Sequence, residues 1–342
     1  MNKFRVIIGF LVLAGIFSCD NDINIVGDFE NIPVVFALID AGEEVNYFRI
    51  ERAFIDRDVS PEILAMNPDS VFYGPEVQAR VTNMTNGQSV VLERVNLEDE
   101  GFIREDGPFL ISPNIGYRLD IEALGLLEND QVNFQLIGPD EQLFTEATTT
   151  VIGEHTVGSQ PPTALRLRFD RELTFTLRSD EQAAVFYDLR LIITYTEEDI
   201  NNPGVVDTRT LEWLVESELQ RATSSVGDLQ TQTTFRIDDG EEFYRFLAAN
   251  IEVQPNILRR FVKIDLQYDA GGQELFDFIN IGQANTGITS GQIIPSFTNL
   301  SNNAVGVFSS RRTTRNIESH VLDGEARDSL RDSRITGPLN FN

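Results

Sequence analysis

The feature that most constrains the fold is a series of short segments in which apolar and polar residues alternate, separated by turn residues. Residues 33–152 contain about seven such segments, a spacing typical of a β-sandwich. The clearest pair, 77–85 and 88–95, flanks Asn86 and Gly87, a dipeptide whose tolerance of positive φ suits a two-residue turn. This pair is therefore predicted to form a β-hairpin.

Three other segments have clear local signals. The nearly continuous apolar run at 33–40 predicts a first strand that is buried on both faces. Ser60 followed by Pro61 predicts a short helix, because the hydroxyl can cap it and proline suits the first helical position. A longer helix is predicted from Gly240 to about Asn250, where apolar residues share one face.

The length of the chain, 342 residues, exceeds what one hydrophobic core usually serves. Residues 153–163 are rich in glycine and proline, so we interpret them as a linker. Alternating segments resume over 164–215 and at 261–268. We predict a mainly β protein of two β-sandwich-like (Ig-like) domains, 33–152 and a larger 164–342, with one or two short packed helices.

The N-terminal residues have the layout of a secretory signal. Lys3 and Arg5 form a short cationic segment, and residues 6–17 form an apolar run. A membrane-spanning helix needs about 20 apolar residues, so this run is too short to be a permanent span. The sequence predicts a cleaved leader.

The only cysteine of the chain ends this leader. Residues 16–19, Ile-Phe-Ser-Cys, resemble a lipobox, the bacterial lipoprotein motif whose cysteine becomes the first mature residue and carries acyl chains. Several acyl chains together make a firm anchor in a bilayer. We expect a signal peptide at 1–18, attachment to outer-membrane lipid through acylated Cys19, and a tether at 19–32. A buried cysteine in an ordinary leader is the alternative.

An acidic cluster, Asp20, Asn21 and Asp22, follows the cysteine. It resembles the surface-export signal of Bacteroidota lipoproteins, which implies a location on the outer face of the outer membrane. In other Gram-negative bacteria an aspartate there resembles the inner-membrane retention signal. A calcium loop would need a glycine turn and a distal glutamate, and both are missing, so no metal site is predicted.

The charge of the chain excludes several partners. It has 54 acidic and 27 basic residues, a formal net charge of −27. Such a negative field repels nucleic acid and anionic lipid head groups. Neither is expected to bind.

The residues that could carry chemistry are few. His155 and His320 are too few for a zinc site, which needs about four convergent ligands, and both are predicted to be solvated loop residues. The sequence contains no nucleophile elbow, phosphate-binding loop or dinucleotide fingerprint. No cofactor is expected, and the chain is predicted not to be an enzyme.

Carboxylate pairs and aromatic platforms give the remaining options. A glycoside hydrolase needs two carboxylates about 5 to 10 Å apart, and acidic clusters occur at 98–100, 197–199 and 241–242. A chain this acidic produces such clusters by chance, so the hydrolase is a remote alternative. Trp213 shares a strand face with Leu211, which predicts a core residue rather than a sugar-stacking platform.

Two serines lie in short modification motifs. Asp69-Ser70-Val71 and Asp328-Ser329-Leu330 resemble the Asp-(Ser/Thr)-apolar O-glycosylation motif of exported Bacteroidota proteins. Ser70 and Ser329 are therefore candidate glycosylation sites. A helix cap or turn explains an Asp-Ser pair equally well.

The last segments of the chain carry a family resemblance. Residues 297–310 contain Thr-Asn followed by Gly-Val-Phe, and 328–341 ends in Leu-Asn-Phe. With the run at 33–40, these segments resemble uncharacterised Bacteroidota outer-membrane lipoproteins, the domain of unknown function (DUF) 4249 proteins. The resemblance implies an ordered C-terminus in which Phe341 returns to the core, and genes often placed near TonB-dependent transporters. It implies no activity.

The function expected from these features is that of a lipid-anchored accessory or binding protein at the cell surface. Through the resemblance alone, a TonB-dependent outer-membrane transporter is the expected partner. A structural or adhesive surface lipoprotein is the alternative, and a carboxylate-based glycoside hydrolase is the remote one.

Overall fold

A computed structural model describes residues 31–53, 59–157, 163–179, 182–225, 227–284, 297–315 and 319–342. The predicted signal peptide, Cys19, and Asp20, Asn21 and Asp22 lie outside these ranges. The chain is mainly β, with 45% strand, 17% helix and five short helices, arranged in several sheets as a β-sandwich-like fold. The predicted fold class is confirmed.

Strands in the N-terminal half alternate between buried and more exposed residues. They are β1 (Pro33–Ile39), β2 (Val45–Arg52), β3 (Gln78–Asn83), β4 (Ser89–Val91), β5 (Glu93–Asn96), β6 (Ile115–Asp120), β7 (Gln131–Ile137) and β8 (Leu143–Thr150).

Strands in the C-terminal half include three of the longest in the chain. They are β9 (Thr156–Val157), β10 (Ala164–Leu165), β11 (Leu173–Arg178), β12 (Phe186–Asp199), β13 (Val206–Gln220), β14 (Gln232–Ile237), β15 (Ile257–Gly271), β16 (Val305–Arg315) and β17 (Val321–Leu322). The helices are α1 (Pro61–Ala65), α2 (Pro68–Val71), α3 (Glu241–Asn250), α4 (Gln273–Ala284) and α5 (Gly324–Asp332).

One eight-stranded sheet runs through both halves, in the order β13-β12-β15-β16-β1-β2-β6-β5. Strand β16 joins the halves, because its residues 305–310 pair in parallel with β1 and its residues 311–315 pair antiparallel with β15. The predicted domains 33–152 and 164–342 therefore share a continuous sheet. Smaller sheets, β4-β3-β7-β8 and β14-β11-β9, and the pair β10-β17 complete the β structure.

Two large buried apolar clusters lie beneath this sheet. The first is formed by residues up to Val151 together with Leu300, Ala304 and Phe308, and the second by residues from Ile152 onward. The first lies between β1-β2-β6 and the sheet β4-β3-β7-β8. Its centre holds Phe48, Phe134 and Phe308, with the last two ring centroids 5.5 Å apart. Because Phe308 lies on β16, the end of the chain completes the core formed by its beginning.

The second cluster packs β12 and β15 against β11, β14 and the helices α3 and α5. Tyr244 on α3 anchors these elements, since its hydroxyl donates to the Leu167 carbonyl at 2.6 Å and the Ala326 carbonyl at 3.1 Å. Phe341 is buried with its ring 5.8 Å from that of Tyr195. The C-terminus is ordered and returns to the core, as the resemblance implied.

Two local predictions are corrected. Strand β1 is buried on one face only, because Phe36 is 45% exposed while its neighbours Val35 and Ala37 are fully buried. The β3–β4 hairpin forms, but its loop has four residues rather than two. The Asn83 N–H donates to the Gln88 carbonyl at 2.8 Å, which closes the longer loop.

The helix predictions succeed in position but not always in detail. Helix α3 has the predicted bounds, and its Phe243, Tyr244 and Leu247 are buried. Helix α1 begins at Pro61, but the Ser60 side chain makes no capping bond. Helices α4 and α5 were not predicted. No helix within the described residues is both long and apolar enough to cross a membrane.

Candidate ligand-binding groove

The large sheet has an inner face that packs on both clusters and an outer face that carries two cavities. We call them the aromatic cavity, about 410 Å³, and the ionic cavity, about 310 Å³. Leu38 on β1 and Arg311 on β16 line both cavities. The two cavities therefore form one groove that crosses the junction of the two halves.

Three rings form the walls of the aromatic cavity: Phe36, Tyr47 and Phe102. Phe36 and Tyr47 point to the outer face because they alternate with buried residues of β1 and β2. The ring centroids of Tyr47 and Phe102 lie 5.0 Å apart in an edge-on contact. The Tyr47 hydroxyl donates to Glu100 Oε2 at 2.6 Å, and this bond raises the pKa of Tyr47. Tyr47 is thus neutral and fixed in position.

The loop between β5 and β6 holds Phe102 over the cavity. The Phe102 N–H donates to the Leu97 carbonyl at 2.8 Å, and Asn114 Nδ2 donates to the Phe102 carbonyl at 3.0 Å. Arg104 secures the same loop by donating to Glu51 at 2.8 Å and to the Leu110 carbonyl at 3.0 Å. An extended loop with these fixed bonds presents an aromatic side chain at a defined place.

The ionic cavity is lined by a ladder of charged residues on neighbouring strands. Arg190 on β12 contacts Asp269 on β15, and its Nη2 lies 3.6 Å from Asp188 Oδ2. Thr313 on β16 donates to Asp269 at 2.8 Å, and the Glu218 N–H donates to Asp188 at 2.7 Å. Every member of the ladder is therefore bonded to another part of the sheet.

Burial acts on the acidic groups near the groove. It raises the pKa of Asp188, opposed by the Glu218 N–H and by Arg190. It also raises the pKa of Asp40, a fully buried residue just past β1 that accepts N–H groups from Gly42 and Thr313. Asp40 thereby fixes the end of β1 against the middle of β16.

Arg311 differs from two other arginines of the outer face, Arg190 and Arg315. Its Nε lies 3.8 Å from Asp40 Oδ2, beyond hydrogen-bond distance, and its side chain is 52% exposed. By contrast, Arg190 contacts Asp269, and Arg315 Nε donates to Gln267 at 3.0 Å. Among the described residues, the Arg311 guanidinium makes no hydrogen bond, so its donors face the groove.

The two histidines were predicted to be solvated, and this is wrong. His155 is buried: its Nδ1 lies 3.1 Å from Ser179 Oγ and its ring packs edge-on to Tyr187. Burial, with Arg221 and Arg312 as lesser causes, lowers the pKa of His155 to about 4.

His320 is also buried, because its backbone N–H and carbonyl pair with Ile264 on β15 at 2.8 Å. Neither histidine lines the groove. Within the described parts of the chain, no group of three or more His, Cys, Asp or Glu side chains is placed to hold a metal ion.

The acidic clusters named from the sequence lie apart and have structural partners. Glu100 accepts from Tyr47, Glu197 binds the buried Arg259 at 2.8 Å, and Glu241 contacts Arg245 one turn along α3. The structure instead brings together Asp188 and Asp269. Sequence reasoning missed them because neither has an acidic neighbour in the sequence, and only the register of β12 and β15, which places them opposite each other, reveals the pair.

Trp213 packs against the second cluster, as predicted. Its ring stacks on Phe246 with centroids 5.5 Å apart, and Leu211 and Val215 pack on the same cluster. It lines none of the cavities described above.

The candidate glycosylation sites lie in helices. Ser70 is half-buried in α2 and Ser329 is half-buried in α5. A third cavity, about 560 Å³, lies beside Ser329 and is lined by Arg327 and Arg331. Arg331 is paired with carboxylates of its own helix. Modification of both serines stays a prediction.

A search of protein-family models found no match for this chain, and a search of curated proteins found no relative. The lipoprotein family resemblance is thus a prediction from the residues quoted above.

Proposed function

We propose that this chain is a lipid-anchored binding protein of the outer membrane that acts as an accessory at the cell surface. The observation that carries the proposal is the groove, in which two cavities meet at the half-exposed Arg311, whose guanidinium makes no hydrogen bond among the described residues. Cavities of this size with aromatic walls and few polar groups are typical of ligand sites. Lipidation of Cys19 and export through Asp20, Asn21 and Asp22 supply the location in this proposal.

Binding is favoured over catalysis by the state of the carboxylates. Asp188 and Asp269 face one cavity, as the glycoside hydrolase alternative requires. Arg190 lies between them, and both accept further hydrogen bonds from the sheet. Both carboxylates are engaged by Arg190 and by a second donor of the sheet, which favours a structural role over attack on a substrate. The pair is better explained as a structural feature of the outer face.

A transporter partner is supported by the resemblance and by one surface. The loop between β5 and β6 carries four exposed apolar side chains: Phe102, Ile103, Phe109 and Ile111. Exposed apolar patches mark protein interaction sites. We propose that this loop contacts a TonB-dependent transporter.

The location is tested by protease treatment of intact cells, with a Cys19→Ser variant as control. The wild-type chain should be removed by protease and its N-terminal peptide should carry acyl chains in mass spectrometry. The Cys19→Ser variant should lose both the acyl chains and the membrane attachment. A wild-type chain that resists protease on intact cells would place it on the periplasmic side.

The partner is tested by crosslinked purification from outer membranes. The wild type should co-purify with one barrel transporter, and Ile103→Glu should lose that partner because it places a charge in the apolar loop. Met84→Glu, on the exposed β3–β4 loop, is the matched control and should retain it. If the chain is removed by protease yet purifies alone, the structural or adhesive role gains support.

A further inference from the structure

Two charged side chains of opposite sign line the aromatic cavity without a hydrogen-bond partner among the described residues. Arg311 makes no hydrogen bond and only a long ion pair, 3.8 Å from Nε to Asp40 Oδ2. Glu43, on the turn after β1, makes neither a side-chain hydrogen bond nor an ion pair among these residues. The other polar side chains of the cavity are occupied. Asn46 bonds both backbone groups of Asp40, at 2.8 and 3.2 Å, and Tyr47 donates to Glu100.

The cavity therefore offers one cation with unused hydrogen-bond donors, one unpaired anion and three aromatic walls. A guanidinium binds a carboxylate through two parallel hydrogen bonds, and a carboxylate binds an ammonium group. The rings of Phe36, Tyr47 and Phe102 suit an apolar side chain, by stacked or edge-on contact. The complementary ligand is a zwitterion with an apolar side chain, and the volume of about 410 Å³ is in the range of small-molecule sites.

We propose that the aromatic cavity binds a free apolar α-amino acid, with its carboxylate on Arg311 and its ammonium group on Glu43. The inference rests on the proposed binding function and adds the chemical class of the ligand. The ladder of the ionic cavity assists it, because Arg190 offsets part of the negative charge of Asp188 and Asp269, which would otherwise repel the carboxylate of the ligand.

The test is calorimetric titration of the full chain, purified in detergent, with L-phenylalanine. L-phenylalanine methyl ester lacks the carboxylate charge and N-acetyl-L-phenylalanine lacks the ammonium charge, so each should bind at least about tenfold more weakly. Arg311→Gln should weaken the binding of phenylalanine by a similar factor and leave the binding of the methyl ester unchanged. Glu43→Gln should weaken the binding of phenylalanine and leave the binding of N-acetyl-L-phenylalanine unchanged.

Arg315→Gln is the matched control, because Arg315 lies on the same strand and face but is bonded to Gln267. It should bind phenylalanine like the wild type. Arg311 and Glu43 are exposed, so both variants should keep the urea midpoint of the wild type, which excludes misfolding as the cause of weaker binding.

Three results would overturn the inference: no binding of phenylalanine at about 10 mM, equal binding of acid and ester, or unchanged binding by Arg311→Gln. These results differ from failure of the proposed function. A chain that binds phenylalanine but resists protease on intact cells has the ligand class right and the surface location wrong. A chain that is exposed at the surface but does not bind phenylalanine has the surface location right and the ligand class wrong.

Discussion

The inner and outer faces of the eight-stranded sheet are formed by the same strands but differ in their contacts. On the inner face, Val35, Ala37 and Phe308 are fully buried and touch other apolar groups. On the outer face, charged side chains bond across strands, and cavities remain open between them. The adjacent residues Arg311 and Arg312 show the difference, since their side chains are 52% and 17% exposed. Stability should therefore depend on the inner face and binding on the outer face.

The largest expected effect comes from the inner face of the shared strand. Phe308→Ala should lower the free energy of unfolding by about 4 kcal/mol, because it leaves a cavity where the Phe48 and Phe134 rings meet. Phe36→Ala on the outer face of β1 should lower it by only about 1 kcal/mol, since that ring is 45% exposed. Urea unfolding measures both. Equal losses would remove the distinction between the faces.

A second comparison uses two arginines that bind one carboxylate. Arg259 is fully buried and donates to Glu197 at 2.8 Å and to the Leu339 carbonyl at 2.8 Å, whereas Arg209 binds Glu197 at 3.1 Å from the surface. Arg259→Ala should lower the free energy of unfolding by about 3 kcal/mol. Arg209→Ala should change it by less than about 0.5 kcal/mol. A loss for Arg209→Ala as large as that for Arg259→Ala would contradict the burial argument.

The third prediction concerns pH. The pKa of His155 is about 4 in the folded chain and about 6.5 when unfolded, so between these values the unfolded chain binds more protons. Stability contributed by neutral His155 is thus complete above about pH 6.5 and falls as pH drops toward 4, by about 3 kcal/mol. His155→Gln can still bond Ser179 but does not titrate.

The measurement is urea unfolding of both proteins across this range. The wild type should lose stability relative to His155→Gln as pH falls. Because Asp40 and Asp188 titrate in both proteins, their contribution cancels in the difference. Parallel pH profiles would show that folding leaves the pKa of His155 unchanged, which would contradict the effect of burial.

The smallest effect on the free energy of unfolding is expected for a substitution on the outer face. Arg311→Gln should leave the free energy of unfolding within about 0.5 kcal/mol of the wild type, because its nearest carboxylate lies 3.8 Å away and its side chain is half in water. Thermal unfolding followed by circular dichroism is sufficient. A large loss would mean that Arg311 holds β1 and β16 together and is not free for a ligand.

Local patterns in the sequence predicted those elements whose structure is determined by residues close together in the chain. Alternation with period two located most of the strands, and Gly87 marked the β3–β4 hairpin. The apolar stripe of α3 and the core-facing side of Trp213 were also evident, because each depends on residues within one turn or one strand.

The groove could not be predicted because it depends on contacts between distant residues. Strand β1 pairs with β16 across the length of the chain, and nothing local in the arginine pair at 311–312 shows which side chain faces the core. The histidines illustrate the same limit, since their flanking residues are polar and only tertiary packing buries them. Asp188 and Asp269 become neighbours only through the register of two long strands.

The most direct test of the outer face as the binding face is photocrosslinking in living cells. A benzophenone amino acid replaces Phe102, which is 50% exposed on the cavity wall, or Met84, which is 59% exposed on the β3–β4 loop. We predict a discrete adduct from position 102 and none from position 84. Equal adducts at both positions, or an adduct from position 84 alone, would contradict the assignment of binding to the outer face.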